Sequence, residues 1–234
     1  MQLTSGSLRV FRQFAWLGIG SAKIALSHPA HLQLTQAVSP QTSVRIKIMS
    51  EEQQMRKVIF AINITIDGYC GHEEGIVDDE LHEYFTGLLR DSGVEIFGRN
   101  TYHLMYPYWH DVAVNQSETK VTNEFARAFD SIPKIVFSTT LKSVEWNNTT
   151  LLHSNLREEI MKLKQQPGKN ISIGGLNIAS QVAQWNLIDE YHFVVHPIIA
   201  GKGPRLFESG KNLTLKLVGS KTFRSGVVAL HYKK

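Results

Sequence analysis

Short apolar runs rich in β-branched residues alternate with amphipathic segments from residue 57 to the last residues of the chain. The runs at 58–66, 94–97, 135–137, 171–173 and 191–195 have the length of buried strands. Between them, apolar residues recur every three or four positions, as at Leu81, Phe85, Leu88 and Leu89. This period predicts a first helix that begins at Asp78 to Glu80 and further helices over 121–129, 156–164 and 177–185. A short helix is predicted from Asn100.

The last part of the chain has a different pattern. Two strands are predicted over 213–223 and 227–232, joined at Ser225-Gly226 as a hairpin. Strands that alternate with helices indicate a mainly parallel sheet covered on both faces, and the hairpin adds antiparallel strands at one edge. The expected fold is therefore a three-layer α/β/α domain, which we place at residues 56–234.

Composition narrows the class of protein. The chain has 234 residues, 42% hydrophobic and 20% charged, which is typical of a globular protein. No apolar run approaches the roughly 18 residues of a membrane span, so no membrane association is expected. The single Cys70 excludes an intramolecular disulfide and the cysteine pairs of a structural zinc site. No metal site is expected.

The net charge of +4 comes from the first segment of the chain. Residues 1–50 contain no acid and five basic residues, which leaves 20 basic against 21 acidic residues in the rest. We therefore expect no nucleic-acid partner. We interpret residues 1–55 as a disordered leader or as an extension upstream of a true start at Met49 or Met55; a targeting peptide and a functional arm are the alternatives.

Three predicted strand ends finish in small or polar residues. They are 98–101 (GRNT), 138–140 (STT) and 174–177 (GGLN). In an open α/β sheet, ligands bind beyond the carboxyl ends of the strands, where helix N-termini favour phosphate groups. Gly175 has two interpretations: close approach of a pyrophosphate, in which case Gly175→Val weakens binding and spares folding, or a turn with positive φ, which predicts the reverse. The chain has neither a P-loop nor a Rossmann fingerprint.

Several motifs together resemble the dihydrofolate-reductase-like family that includes the C-terminal reductase domain of the bacterial bifunctional riboflavin-biosynthesis deaminase-reductase. They are IDGY at 66–69, IFGRNTY at 96–102, YW at 108–109, IGG at 173–175, LIDE at 187–190 and HPIIAGKGPRLF at 196–207. The resemblance covers the chain from about Lys57 onwards. It implies a dihydrofolate-reductase-like fold and an NADPH-dependent oxidoreductase that transfers a hydride to a small heterocycle or a riboflavin precursor, as a 5-amino-6-(5-phosphoribosylamino)uracil reductase does.

The resemblance also implies which residues bind the cofactor. Gly98, Arg99 and Thr101 would contact the pyrophosphate and the adenosine phosphate, and Ser138 and Thr139 the 2′-phosphate side. Arg99 would select NADPH because a guanidinium binds a phosphate with two parallel hydrogen bonds; its alternative is a surface salt bridge. Gly174, Gly175, Leu176, Asn177 and Ile178 would hold the pyrophosphate at a helix N-terminus.

The chain departs from the family pattern at two places. It lacks the His-x-Glu and Pro-Cys-x-x-Cys motifs of a zinc deaminase. It also lacks a clear counterpart of the pterin-binding acid of dihydrofolate reductases, because Asp79, Glu80 and Glu83 do not fall on the inward stripe of the first helix. Dihydrofolate or pterin reduction, and a non-catalytic nucleotide-binding module, therefore stay as alternatives.

Other candidate residues each have two interpretations. Asp67 is the predicted catalytic residue, as substrate ligand or proton donor, but it could instead cap a turn, with water as the proton source. The aromatic residues at 102, 106, 108 and 109 line a flat-ring pocket or belong to the core. The last candidates are His196, a site residue or a buried strand histidine, and Lys202 and Arg205, substrate-phosphate ligands or solvated side chains.

Glycosylation sequons do not favour export. Asn63 and Asn170 fall in or beside predicted buried strands, where a glycan has no room. We therefore expect a cytoplasmic protein that acts on a small molecule, with a homodimer as its candidate assembly.

Overall fold

The computed structural model describes residues 55–71, 75–206 and 212–234. Apart from Met55, the predicted leader lies outside the described residues, so its interpretation and the domain boundary stay predictions. Within these three ranges, no helix is both long and apolar enough to cross a lipid bilayer.

The described residues form one eight-stranded sheet. Its strands are β1 Val58–Thr65, β2 Ser92–Gly98, β3 Lys134–Phe137, β4 Thr149–Leu152, β5 Asn170–Ile173, β6 Glu190–His196, β7 Lys216–Thr222 and β8 Val228–Lys233. Their order in the sheet is β4-β3-β2-β5-β1-β6-β8-β7. Strands β1 to β6 run parallel, β8 is antiparallel to β6, and β7 is antiparallel to β8. This confirms the predicted parallel sheet with a C-terminal hairpin.

Helices cover both faces of the sheet. They are α1 Asp79–Arg90, α2 Arg99–Asn115, α3 Lys120–Ser131, α4 Leu156–Lys164 and α5 Leu176–Gln184. One core packs the sheet against the apolar sides of α4 and α5, and includes Phe60, Ile160 and Val182. The opposite face packs against α1, α2 and α3 through Phe97 and Leu81. The three-layer arrangement is thus confirmed.

Helix α2 corrects the predicted short helix from Asn100. It runs for 17 residues and contains Pro107 in its interior. A proline leaves one carbonyl without its helical partner, but both Pro107 and His103 are exposed, so water can solvate that carbonyl. The rings of Tyr102, Tyr106 and His110 follow one another at centroid distances of 5.4 Å along the other side and hold the helix together across the proline.

Strand β4 was not predicted. It has four residues and pairs only with β3 among the described strands. Its half-exposed Thr-Thr-Leu-Leu sequence has no clear period, because an edge strand of this length buries little of either face. Its addition extends the carboxyl edge of the sheet by one strand.

Candidate active site

A cleft of about 1760 Å³ opens at the carboxyl edge of the sheet, where β4, β3, β2 and β5 end side by side. All ten residues predicted to bind the cofactor line it, although they come from three separate segments of the chain. They are Gly98, Arg99, Thr101, Ser138, Thr139, Gly174, Gly175, Leu176, Asn177 and Ile178. The structure brings the ten together; cofactor binding by them stays a prediction.

The N-terminus of α5 has the features of an anion site. The amides of Leu176, Asn177 and Ile178 have no acceptor among the described residues, and the first intrahelical bond runs from Ala179 N to Gly175 O at 3.1 Å. Free amides at the positive end of a helix dipole bind phosphate groups. The Ile178 side chain is 4% exposed and belongs to the core, so only its backbone can serve a ligand.

Neither of the two glycines before α5 has room for a side chain. Gly175 has φ +79° and ψ 148°, and a Cβ there would lie 2.3 Å from Thr101 Oγ1. A Cβ on Gly174 would lie 2.9 Å from Glu95 Oε1. The positive φ agrees with the turn interpretation of Gly175, and its place at the helix start agrees with the phosphate interpretation. Because a side chain at this φ is strained and its Cβ would meet Thr101, the expectation that Gly175→Val spares folding is wrong, whereas the phosphate interpretation stays a prediction.

The end of β2 places a free cation at the same edge. Arg99 is exposed, takes part in no ion pair within the described residues, and donates from Nη1 to Thr140 Oγ1 at 2.6 Å. The part of the chain that the structure describes therefore supplies no acid for the salt-bridge alternative of Arg99. Gly98 is not sterically required, since an added Cβ would meet Ile178 Cγ1 at an ordinary 3.6 Å.

The ends of β3 and β4 lie next to Arg99. Ser138 Oγ accepts from the amides of Thr140 and Leu141 at 3.2 and 3.0 Å and so shapes the turn, while Thr139 stays exposed. His153 lines the same part of the cleft and donates from Nδ1 to Ser138 O at 2.7 Å. His153 and the nearby Arg157 were missed because β4 was missed.

Glu95 is an unexpected acid in the wall of the cleft. It is 7% exposed, and Oε2 has no hydrogen-bond partner among the described residues. Burial raises the pKa of the carboxyl to about 7 against the opposing effects of Ser172 and Lys134. Lys134 is the neighbouring residue on β3, and burial lowers its pKa to about 8. Only the sheet order reveals this pair, because the two residues are far apart in sequence.

The other half of the cleft has apolar walls. Leu81 and Phe85 come from α1, and Tyr108 and Trp109 from α2. Tyr102 and Tyr106 pack in the core instead, and the Tyr102 hydroxyl accepts from Glu145 N at 2.9 Å. Tyr108 and Trp109 thus line the cleft, Tyr102 and Tyr106 belong to the core, and Trp109 packs against the core as well; binding of a flat ring stays a prediction.

The acids of α1 do not reach this pocket. Asp79 Oδ1 accepts from Thr119 Oγ1 at 2.8 Å, Glu80 pairs with Arg224 at 3.0 Å, and Glu83 is exposed. This confirms that the first helix supplies no inward carboxylate for a pterin.

Asp67 lies outside the cleft lining. Its carboxylate accepts hydrogen bonds from Thr65 Oγ1 at 2.6 Å and from the amides of Ala200 and Gly201 at 3.1 and 2.8 Å. The Thr65 hydrogen bond, with the two amides, lowers the pKa of Asp67 to about 2, so the group is ionised at neutral pH and is a poor proton donor. These contacts favour the turn-capping alternative over the predicted catalytic role.

We expect Asp67→Asn to lower the melting temperature by a few degrees at pH 7 and to leave dinucleotide affinity unchanged, because one carboxylate oxygen that accepts an amide is lost. The wild-type contribution is present above pH about 4 and is lost as the pH falls through about 2, whereas the variant has no such dependence. Thermal melts and cofactor titrations measure both effects. Lost affinity without lost stability would restore Asp67 to the site.

His196 is a buried strand histidine whose two ring nitrogens both have hydrogen-bond partners, which is the alternative to a site residue. It is 2% exposed, and its ring nitrogens contact Ile76 N at 3.1 Å and Asn63 Oδ1 at 3.0 Å. Asn63 itself is exposed and lines the cleft, which corrects the expectation that this residue is buried. Lys202 and Arg205 lie outside the cleft lining, and Arg205 contacts the Tyr69 ring at 4.5 Å.

Glu190, His192 and His231 form a cluster whose ligand atoms lie within 4.8 Å of one another. The imidazole rings are stacked at 4.1 Å and nearly parallel, so their in-plane lone pairs do not converge on one point. Lys57 and Lys233 already neutralise Glu190, at 2.9 and 3.6 Å from Oε1. As built, the cluster is a hydrogen-bonded ion-pair network on the sheet and not a coordination site.

Solved structures with this architecture define the class of protein. A candidate riboflavin biosynthesis protein from Shewanella sp. PV-4 matches with a TM-score of 0.57 at 22% identity, over 76% of this chain and 98% of its own. A pyrimidine reductase-like protein from Corynebacterium diphtheriae gives 0.53 at 15%, over 78% and 93%. Enterococcus faecalis dihydrofolate reductase complexed with NADP(H) and RAB-propyl gives 0.51 at 11%, over 76% and 95%. The fold is dihydrofolate-reductase-like.

Sequence comparison identifies the family within this fold. The model of the RibD C-terminal domain matches residues 56–229, and the chain belongs to that family. It is 30% identical over 189 residues to the uncharacterized protein YyaP of Bacillus subtilis strain 168, covering 79% of this chain and 98% of YyaP. It is 29% identical over 181 residues to YwjB of the same organism, covering 76% and 97%. The resemblance seen in the motifs is confirmed, and family and fold together indicate a reductase.

Proposed function

We propose that the protein is an NADPH-dependent oxidoreductase that reduces a small heterocycle, of the riboflavin-precursor reductase type. The observation that carries the proposal is the convergence of the three strand ends predicted to bind anions on one cleft, beside a pocket with flat apolar walls. One half suits the phosphates of a dinucleotide, and the other half suits a planar ring.

The residues present fit a dinucleotide. The three free amides at the start of α5, on the lining of the cleft, suit a pyrophosphate. Arg99 and Arg157 offer cations, and His153 a ring nitrogen, for the additional phosphate that distinguishes NADPH from NADH.

When bound, a reduced nicotinamide supplies a hydride from its C4 to a carbon of a C=N or C=O bond. The protein's part is to bind and orient both rings and to exclude water. Phe85 and Trp109 present apolar surfaces to a planar substrate, and the half-exposed Tyr108 lies at the opening. Because Asp67 lies outside the cleft, the acids of α1 face away and Glu95 Oε2 is sealed from solvent, we assign the proton donor role to water.

Two alternatives make different predictions. A non-catalytic module of this fold binds NADPH but oxidises it with no pterin, pyrimidine or quinone acceptor. The absence of an inward acid on α1 speaks against a dihydrofolate reductase. A steady-state screen of these acceptors with NADPH at 340 nm separates the possibilities, and the proposal fails if neither NADPH nor NADH binds at millimolar concentration.

We expect Arg99→Gln to weaken NADPH binding by about tenfold or more and NADH binding by less than about threefold, because a charge-assisted hydrogen bond to a phosphate is lost. Titration of cofactor fluorescence measures both dissociation constants. The matched control is Arg127→Gln, which changes an exposed arginine of α3 outside the cleft lining. Equal losses for the two cofactors would show that Arg99 does not select the 2′-phosphate.

Cytoplasmic location and self-association belong to the same proposal. The single Cys70 is in keeping with a reducing compartment. Sedimentation of the purified protein tests the homodimer.

A further inference from the structure

Asn63 is an exposed polar residue on a central strand. It lies on β1, which is flanked by β5 and β6, and its side chain lines the cleft. The neighbouring walls are apolar and include Leu81 and Phe85 of α1. A polar side chain in such a place meets whatever ring occupies this half of the cleft.

The buried His196 fixes the orientation of the Asn63 amide. The Nδ1 atom of His196 accepts the backbone N–H of Ile76 at 3.1 Å and therefore carries no proton. Burial lowers the pKa of His196, so the ring is neutral and its proton lies on Nε2. Nε2 then donates to Asn63 Oδ1 at 3.0 Å. The carbonyl oxygen of the amide is engaged, and the Nδ2 group has no acceptor among the described residues.

We propose that Asn63 determines specificity on the substrate side of the cleft: its Nδ2 group donates a hydrogen bond to a ring carbonyl or unprotonated ring nitrogen of a flat, uncharged heterocycle. This inference rests on the proposed function, because it assigns the substrate half of the same cleft. His196 acts as a positioning residue, since it touches Asn63 and not the ligand.

The surroundings favour an acceptor-bearing ring over a cationic or amino-substituted one. Ring amino groups would face the Nδ2 donors, and a buried donor opposite another donor loses its hydrogen bond to water without replacement. The acids of α1 are turned away, and the Glu95 Oε2 atom is sealed from solvent. Within the described residues, the pocket therefore offers a cation no exposed carboxylate beside Asn63.

A matched pair of fluorescent probes tests the proposal on the full chain: pteridine-2,4-dione, with two ring carbonyls, and pteridine-2,4-diamine, with amino groups in the same places. We expect the wild-type protein to bind the dione about tenfold more tightly than the diamine. In Asn63→Asp the order should reverse, because a carboxylate accepts from the amino groups. This variant keeps an acceptor for His196 Nε2, so the fold is retained.

Asn63→Leu serves as a second variant and should remove the preference for the dione, with thermal melts to establish that it is folded. An unchanged preference in Asn63→Asp, or no binding of the dione to the wild-type protein, would overturn the inference. NADPH titrations of the same samples keep the two proposals apart. If NADPH binds and the preference for the dione over the diamine is the same whatever residue stands at position 63, only this inference fails. If NADPH and NADH both fail to bind, the proposed function fails as well.

Discussion

Gly175→Val is expected to lower both the stability of the protein and its affinity for NADPH. A side chain at φ +79° strains the backbone by about 1 to 3 kcal/mol, and a Cβ placed 2.3 Å from Thr101 Oγ1 forces one of the two segments to move. That movement displaces the amides at the start of α5. We expect binding to weaken by about 2 kcal/mol or more, or about thirtyfold.

Gly226→Val separates the two effects. Gly226 has φ +83° in the β7–β8 turn, and an added Cβ there would meet Pro197 Cγ at an ordinary 3.6 Å. It carries similar backbone strain away from the cleft, so it should lose stability and keep its NADPH affinity. Thermal melts and titrations well below the melting temperature provide the comparison. Wild-type affinity in folded Gly175→Val would remove Gly175 from the site.

Glu95→Gln is expected to stabilise the protein at alkaline pH. Burial raises the pKa of this carboxyl from 4.5 to about 7, which corresponds to about 3 kcal/mol between the two protonation states. Because the folded-state pKa is the higher one, the favourable contribution is complete below pH 4.5 and is lost as the pH rises through 7. The glutamine variant keeps the shape of the side chain and does not ionise.

The difference in unfolding free energy between Glu95→Gln and the wild-type protein should therefore rise by about 2 to 3 kcal/mol from pH 5 to pH 8. Urea denaturation at both pH values measures it. Glu83→Gln is the control, since it makes the same substitution at an exposed carboxylate of α1. A difference for Glu95→Gln that is flat with pH would show that the carboxyl is already ionised in the folded state at pH 5.

The order of strands and helices could be predicted from the sequence because it depends on local periodicity. The β-branched run of β1 and the stripe of α1 each contain their own signal, and Asp78 caps α1 by accepting from Leu81 N at 2.8 Å. The half of the cleft assigned to the cofactor could also be predicted from the sequence, since parallel strands bring their carboxyl ends to one edge. The family motifs assigned residues to that edge, and all ten line the cleft.

What a side chain faces depended on contacts between distant segments. Asp67 is drawn away from the cleft by the amides of Ala200 and Gly201, more than 130 residues further along the chain. The tautomer of His196 depends on Ile76, and the exposure of Asn63 depends on the cleft that opens beside β1. The pKa of Glu95 depends on burial between β3 and β5. Periodicity specifies which residues form a strand, but the charge state and accessibility of a residue are set by neighbours that only the tertiary structure brings to it.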